Sequence, residues 1–168
     1  DNSDDDFDGV ADQTVSVDTT DDDVAGFTIV ELDGSTEVDE SGTTDTFTVV
    51  LDAEPATDVV LTVTSDDTSE ATVNSPLTFT SANWDTPQIV TVTGADDDLV
   101  DGTITYTVTV AVDDVNSSDG FDSLIDQIVS VDTTDDDVAG FTIVELDGST
   151  EVDESGSTDT FTVVLDAE

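Results

Sequence analysis

Thr103-Ile104-Thr105-Tyr106-Thr107-Val108-Thr109-Val110-Ala111-Val112 alternates with a period of two: Ile104, Tyr106, Val108, Val110 and Val112 share one face, and Thr103, Thr105, Thr107 and Thr109 the other. Successive side chains of a β-strand point to opposite faces, so this pattern predicts a strand with one buried face. By the same rule Phe47, Val49 and Leu51 point inward from Asp45–Leu51. Further strands are expected at Phe27–Glu31, Val59–Thr64, Leu77–Phe79, Gln88–Thr93 and Ile128–Val131. No long stripe with a period of 3.6 runs through the chain, which predicts an all-β protein. Strands of about ten residues or fewer, broken by Gly, Asp, Asn and Pro, predict an immunoglobulin-like β-sandwich.

The chain repeats itself. Val15–Glu54 returns as Val129–Glu168 at an offset of 114 residues, with Ser157 in place of Thr43 as the single difference. A β-solenoid would repeat over a far shorter period, so the offset favours tandem sandwiches. The string Val17 to Phe27, repeated as Val131 to Phe141, marks the junction between units. It divides the chain into the C-terminal end of a preceding repeat (residues 1–23), one complete β-sandwich repeat (24–137) and the N-terminal part of a following repeat (138–168). A unit of this length can bury a core of its own, whereas the flanking pieces are too short to do so.

The chain has 168 residues with 44 Asp and Glu, no Lys or Arg and no His, for a formal charge of −44. No side-chain salt bridge is possible. Each carboxylate is met by water, by a hydrogen-bond donor or by a bound cation, and neighbouring carboxylates repel by about 1 kcal/mol at ~4 Å even in bulk water. Nucleic acid and anionic membrane surfaces are excluded as partners, because both are recognised through Lys and Arg. No apolar run is long enough to insert into a bilayer. Without Cys there is no disulfide, which fits an extracellular protein stapled by metal. Catalysis is left with paired carboxylates only, and with 44 acids in the chain a pair carries no information. The expectation is therefore a non-catalytic protein. An acidic surface solvated at high salt accounts for part of the composition.

The acids gather at strand ends: Asp66-Asp67, Asp96-Asp97-Asp98 with Asp101, Asp113-Asp114 and Asp135-Asp136-Asp137. A uniformly halophilic surface would also place them on strand faces. Calcium takes six to eight oxygen ligands at about 2.3 to 2.6 Å, which clustered Asp and Glu supply. Zinc would call for His or Cys, and magnesium keeps more of its water. Calcium is the expected ion.

The order Asp21-Asp22-Asp23-Val24-Ala25-Gly26-Phe27, Glu37-Val38-Asp39-Glu40-Ser41-Gly42, Phe47-Thr48-Val49-Val50-Leu51, Leu77-Thr78-Phe79, Val90-Thr91-Val92-Thr93 and Asp96-Asp97-Asp98-Leu99-Val100-Asp101 resembles a Calx-β domain. It is also similar to the tandem extender repeats of giant bacterial adhesins of the RTX type. The resemblance covers the whole central unit, and its specificity lies in the order of short motifs. It implies that calcium is held by Glu40, by Asp96, Asp97 and Asp101, with Asp98 in the same run, and by Asp135, Asp136 and Asp137. Asp66 or Asp67 would add a ligand from an adjacent loop. Asp21, Asp22 and Asp23 would complete the preceding unit's site, and Glu154 would serve the following unit. The family's further Glu, three residues beyond the position of Asp101, is Ile104 here.

Three other signals are weaker. Asp4, Asp6, Asp8 and Gly9 mimic the start of an EF-hand loop, but the twelfth position is Val15 rather than Glu, so the segment reads as an acidic turn. Trp84 could stack on a sugar, or cap the core beside a strand. The Thr rows suit an ice-binding face, or simply a solvated strand.

The function expected from these features is a calcium-rigidified extender repeat of a long adhesin or matrix protein, extracellular or at the cell surface. Its partners are neighbouring repeats of the same chain. Two alternatives stand beside it: a fibre in which identical chains join through strand or calcium contacts, and a ligand- or ice-binding module.

Overall fold

A computed structural model describes residues 9–167, which contain eleven strands and no helix. Nine of the strands form the two facing sheets of a sandwich: β1 (Phe27–Glu31), β2 (Thr36–Asp39), β3 (Thr44–Leu51), β4 (Val59–Ser65), β5 (Ala71–Val73), β6 (Leu77–Phe79), β7 (Gln88–Gly94), β8 (Ile104–Val112) and β9 (Gln127–Thr134). One sheet has the order β1-β3-β7-β5, the other β2-β9-β8-β4-β6. All pairings in them are antiparallel except β2 with β9. The chain crosses from one sheet to the other between β1 and β2, and again between β2 and β3. The protein is thus an immunoglobulin-like β-sandwich, as the alternation predicts.

The inward positions fill the space between the sheets. Phe47, Val49, Leu61, Phe79, Val90, Val92, Val108, Val110 and Val131 are fully or almost fully buried, with Tyr106 and Val129 beside them. Tyr106, Val108 and Val110 of the alternating segment point inward, while its Thr residues point outward. Trp84 packs against this core and its carbonyl accepts from Leu51 N–H at 3.1 Å, so it acts as a packing cap rather than an open platform.

Two short strands, β2 and β5, do not stand out in the sequence. Thr36–Asp39 holds a single large apolar residue, Val38, and becomes a strand because it pairs with β9 from Thr36↔Val131 to Asp39↔Thr134. Ala71–Val73 is too short to show a period and is held on the edge of β7. Conversely β9 extends to Gln127–Thr134, beyond the expected Ile128–Val131, because β8 pairs with it from Ile104↔Thr133 to Val110↔Gln127.

The repeated sequence shows how far context governs these elements. β10 (Phe141–Glu145) and β11 (Phe161–Leu165) form a separate two-stranded sheet, Phe141↔Leu165 to Glu145↔Phe161. This is the register of Phe27↔Leu51 to Glu31↔Phe47 in the first copy. Thr150–Asp153, the counterpart of β2, is not a strand here. Nor is Val15–Thr20, although Val129–Thr134, of identical sequence, lies in β9. The string becomes a strand where β8 and β2 flank it. Asp4, Asp6 and Asp8 of the EF-hand-like segment lie outside the described residues.

Candidate metal centre

The acids of interest meet at the pole where β9 ends. β2 runs parallel to β9, and the ladder continues one residue further through Glu40 N–H, which donates to the carbonyl of Thr134 at 3.1 Å. The chain then turns: Gly42 N–H donates to the Asp39 carbonyl at 3.1 Å and Ser41 N–H to Asp39 Oδ1 at 2.9 Å. Gly42 takes φ 90°, a left-handed value that costs glycine little. This turn tucks the side chain of Glu40 inward until it is only 1% exposed.

The acidic run leaving β9 curls over the same spot. Asp137 N–H donates to Asp135 Oδ1 at 2.7 Å, and Gly102 N–H donates to Asp135 Oδ2 at 2.8 Å. The second bond ties the loop before β8 to the exit of β9. One carboxylate oxygen from each of Glu40, Asp135 and Asp137 then lies within 4.8 Å of the others.

Glu70 enters from beneath. It directly precedes β5 and is 5% exposed. Its carbonyl accepts from Ala95 N–H at 2.8 Å and from Thr133 Oγ1 at 3.4 Å, and Thr133 Oγ1 also bonds the Tyr106 hydroxyl at 3.2 Å. The loop after β7 is thereby fastened to the core below the acids. Gly94 permits the closeness: a Cβ there would collide with the Asp39 carbonyl oxygen.

The electrostatics follow from burial and from charges of one sign. Desolvation, then repulsion from Asp135, Asp97, Asp101 and Glu70, pushes the Glu40 carboxyl up to about 7. Desolvation, then Asp101, Asp67 and Asp97, raises Glu70. Desolvation, then Asp98, Asp135, Asp136 and Asp96, raises Asp137. Glu40 Oε2, Glu70 Oε2 and Asp137 Oδ2 are buried with no hydrogen-bond partner. Buried polar atoms are nearly always paired, so orphaned oxygens converging at one pole call for a counter-charge.

The chain has no cationic side chain to supply it. The donor set is all oxygen, which suits a hard cation. Oxygens bound to one calcium at about 2.4 Å lie at most about 4.8 Å apart, and those of Glu40, Asp135 and Asp137 fall within that limit. The residues therefore fit a calcium ion.

The remaining expected ligands are distributed unevenly. Asp96, Asp97, Asp98, Asp101 and Asp136 stand close enough to raise the acids of the cluster. Asp66 is occupied elsewhere: its carboxylate accepts from Thr107 N–H and Oγ1, both at 2.8 Å, and these bonds hold it below the usual carboxylate range. Asp67 Oδ1 accepts from Ser69 N–H at 3.1 Å, while its charge reaches Glu70. Asp21, Asp22 and Asp23 are exposed; Asp21 and Asp23 line a hollow with Glu54 and Ser118 at the opposite pole. Glu154 is exposed and meets no comparable cluster among the described residues. Glu70 is not marked by any motif, and the signal that could have found it is its place in the Asp66-Asp67 loop, immediately before β5.

No family model matches the chain, and no curated protein matches it. Among solved structures it is similar to the apo-form Calx CBD1 domain, with 18% identity and a TM-score of 0.48 over 66% of this chain and 98% of that one. It is also similar to CBD12 from CALX1.2, with 14% identity and a TM-score of 0.47 over 82% of this chain and 68% of that one. The E. coli chaperone DraB gives 8% identity and a TM-score of 0.46 over 70% of this chain and 59% of that one.

Proposed function

We propose that the chain is a calcium-stiffened spacer: a non-catalytic sandwich, repeated in tandem, that holds some other domain at a distance in an extracellular or cell-surface protein. The observation that carries this reading is the meeting of Glu40, Asp135 and Asp137, with orphaned buried oxygens, in a chain without a cationic side chain. In this reading residues 24–137 are one unit, and residues 1–23 and 138–168 belong to the units on either side.

Glu40 comes from the turn after β2, and Asp135 and Asp137 from the segment leaving the sandwich. A calcium ion held by them, with Asp97, Asp101 and Glu70 nearby, would fasten the exit segment to the body. A bound divalent cation neutralises the repulsion that otherwise drives these carboxylates apart. Each junction so fastened loses hinge freedom, and a string of sandwiches becomes a rod. Extracellular calcium modules of this kind bind with dissociation constants of about 0.1 to 1 mM.

The test is small-angle scattering and thermal melting of the chain in calcium and in chelator at matched ionic strength. A more extended, more stable chain in calcium supports the proposal. Identical scattering and melting in both would rule it out.

A further inference from the structure

The two outer faces of the sandwich are unlike. On the sheet β1-β3-β7-β5 the positions that alternate with core residues such as Phe47, Val49, Val90 and Val92 point outward, ten in all, and each is Thr, Val or Ile, from Thr28 and Val30 on β1 to Thr72 on β5. With 44 acids in 168 residues, an average set of ten positions holds two or three carboxylates; this face holds none. The other sheet does carry them: Glu37 on β2 and Asp132 on β9 point outward, and Asp66 is bonded to Thr107 of β8. Asp52, at the border of the uncharged face, is engaged by Thr28 Oγ1 at 2.8 Å.

All four strands lie within residues 24–137, so the face is whole. Val30 is 48% exposed and Ile89 58%. Gln127 Nε2 donates to the Phe27 carbonyl at 2.7 Å, which puts the entry to β1 at the start of β9, while the exit segment leaves from the end of β9 after Thr134. Neighbouring repeats are thus joined at the two poles, and the uncharged face lies to the side of the chain.

We infer that this outward face is a lateral docking surface for the same face of a second copy of the chain. Charge selects the occupant. A cationic partner is drawn to the acids at the poles and on the other sheet, not to the one broad face without them. A second copy carries a charge of −44 of its own, and this is the face through which it can approach without bringing carboxylates together. The backbone groups inside the sheet are spent on its ladders, so the face offers methyls and Thr hydroxyls alone. Pleated surfaces of β-branched side chains pack well on one another, and sheets stack face to face about 10 Å apart. A two-fold axis near Thr48, which lies between Val30 and Ile89 across β1, β3 and β7, would set the patch against itself.

The size of the patch sets the strength. Four strands about 4.8 Å apart and about 20 Å long give roughly 300 Å² a side, well short of the roughly 1,200 Å² in total that a stable pair needs. One unit therefore associates weakly. Two chains of many repeats lying side by side engage one such patch per unit, and the contacts reinforce one another through effective concentration. That reinforcement rests on the tandem reading above, whereas the contact between two single units does not. Salt strengthens the contact, since the distant carboxylates of the two copies are screened over about 3 Å at 1 M.

The test uses the full 168-residue chain, which has no native cysteine. Thr48→Cys places a thiol at the centre of the uncharged face, and Ser130→Cys places one on the outer face of the other sheet. Each is oxidised at millimolar concentration in calcium and 1 M salt, and its rate of disulfide-dimer formation is normalised to its rate with a small neutral thiol reagent. Thr48→Cys is expected to dimerise at least about ten times faster than Ser130→Cys, and more slowly at low salt. Adding Ile89→Asp, an exposed position, sets a charge against its own symmetry mate and should remove that advantage, a loss of about tenfold or more. Sedimentation equilibrium of the parent and of the Ile89→Asp chain repeats the comparison without cysteine. Equal rates for the two thiols, or association that survives Ile89→Asp as calcium bridging between acids would, overturns the inference. So does a monomeric parent that a neutral polysaccharide resin retains through the same face, which would assign the face to a glycan.

Discussion

Glu40 N–H donates to the carbonyl of Thr134 at 3.1 Å, and this one ladder bond joins the turn after β2 to the start of the acidic exit segment. It places a carboxylate that is 1% exposed beside Asp135 and Asp137, with no positive side chain anywhere in the protein to meet it. The pole is therefore built against its own charge, and its behaviour is governed by whatever cation or proton it takes up.

Calcium should stabilise the folded chain by mass action. With a dissociation constant of about 0.1 to 1 mM, 10 mM calcium adds about 1.4 to 2.7 kcal/mol. Glu40→Gln removes a ligand and the buried charge together. In chelator at pH 8 the variant should melt no lower than the parent, while in calcium it should lose most of the gain. Paired melts in calcium and chelator check this; a Glu40→Gln chain that keeps the full calcium gain would remove Glu40 from the site.

Proton binding should act in the same place. The unfolded Glu40 carboxyl titrates near 4.5 and the folded one near 7 in the metal-free chain, with Glu70 and Asp137 shifted in the same direction. The folded state holds these protons more tightly, so the contribution of Glu40 is full below about pH 4.5 and is lost as pH rises through about 7, and those of Glu70 and Asp137 are likewise lost as pH rises. Asp39 and Asp66, lowered by hydrogen bonds, act oppositely: their contribution is present above pH 3.8 and lost as pH falls below it. The metal-free chain should thus lose stability between pH 5 and 8, while calcium affinity rises over the same interval as the ion displaces protons. Urea midpoints in chelator at pH 5, 6, 7 and 8 provide the measurement. A midpoint that climbs across this range contradicts the assigned sign.

Gly94 should tolerate no side chain. Its Cβ would meet the backbone of Asp39, which is held in the β2–β9 ladder and cannot give way cheaply. Gly94→Ala is expected to cost about 1 to 3 kcal/mol, as overpacking does, and to weaken calcium binding by displacing the turn that carries Glu40. Asp66→Asn should leave calcium affinity within about twofold, because Asp66 is engaged with Thr107 rather than with the cluster. Calorimetric titration of both variants separates the two roles.

How much of this was legible depended on whether local sequence decided the outcome. Long alternating strands did: Tyr106, Val108 and Val110 turn inward because no other placement buries their face. The acids of the pole were legible by motif and by their place at strand ends. Glu70 was not, because its burial depends on two tertiary bonds to its carbonyl, from Ala95 and Thr133. Asp66 reads like its neighbour Asp67 but faces the other way, toward β8, since adjacent residues at a strand end point to opposite sides. β2 was hidden for a related reason: Thr36–Asp39 is a strand only where β9 lies beside it, as the unpaired Thr150–Asp153 shows.

The duplicated hairpin allows that dependence on context to be measured within one molecule. Phe47 and Phe161 have the same neighbours in sequence and the same partner across their hairpins, Glu31 and Glu145. Phe47 is 0% exposed and Phe161 53% exposed. Phe47→Ala should empty a volume in a packed core and cost about 3 to 5 kcal/mol. Phe161→Ala removes a ring that touches little beyond its own hairpin and should change stability by no more than about 0.5 kcal/mol in dilute solution. Denaturant midpoints of the two variants at micromolar concentration supply the comparison. Equal costs would mean that the second hairpin is covered in solution, and that its apolar face is already occupied at concentrations where the first hairpin remains seated.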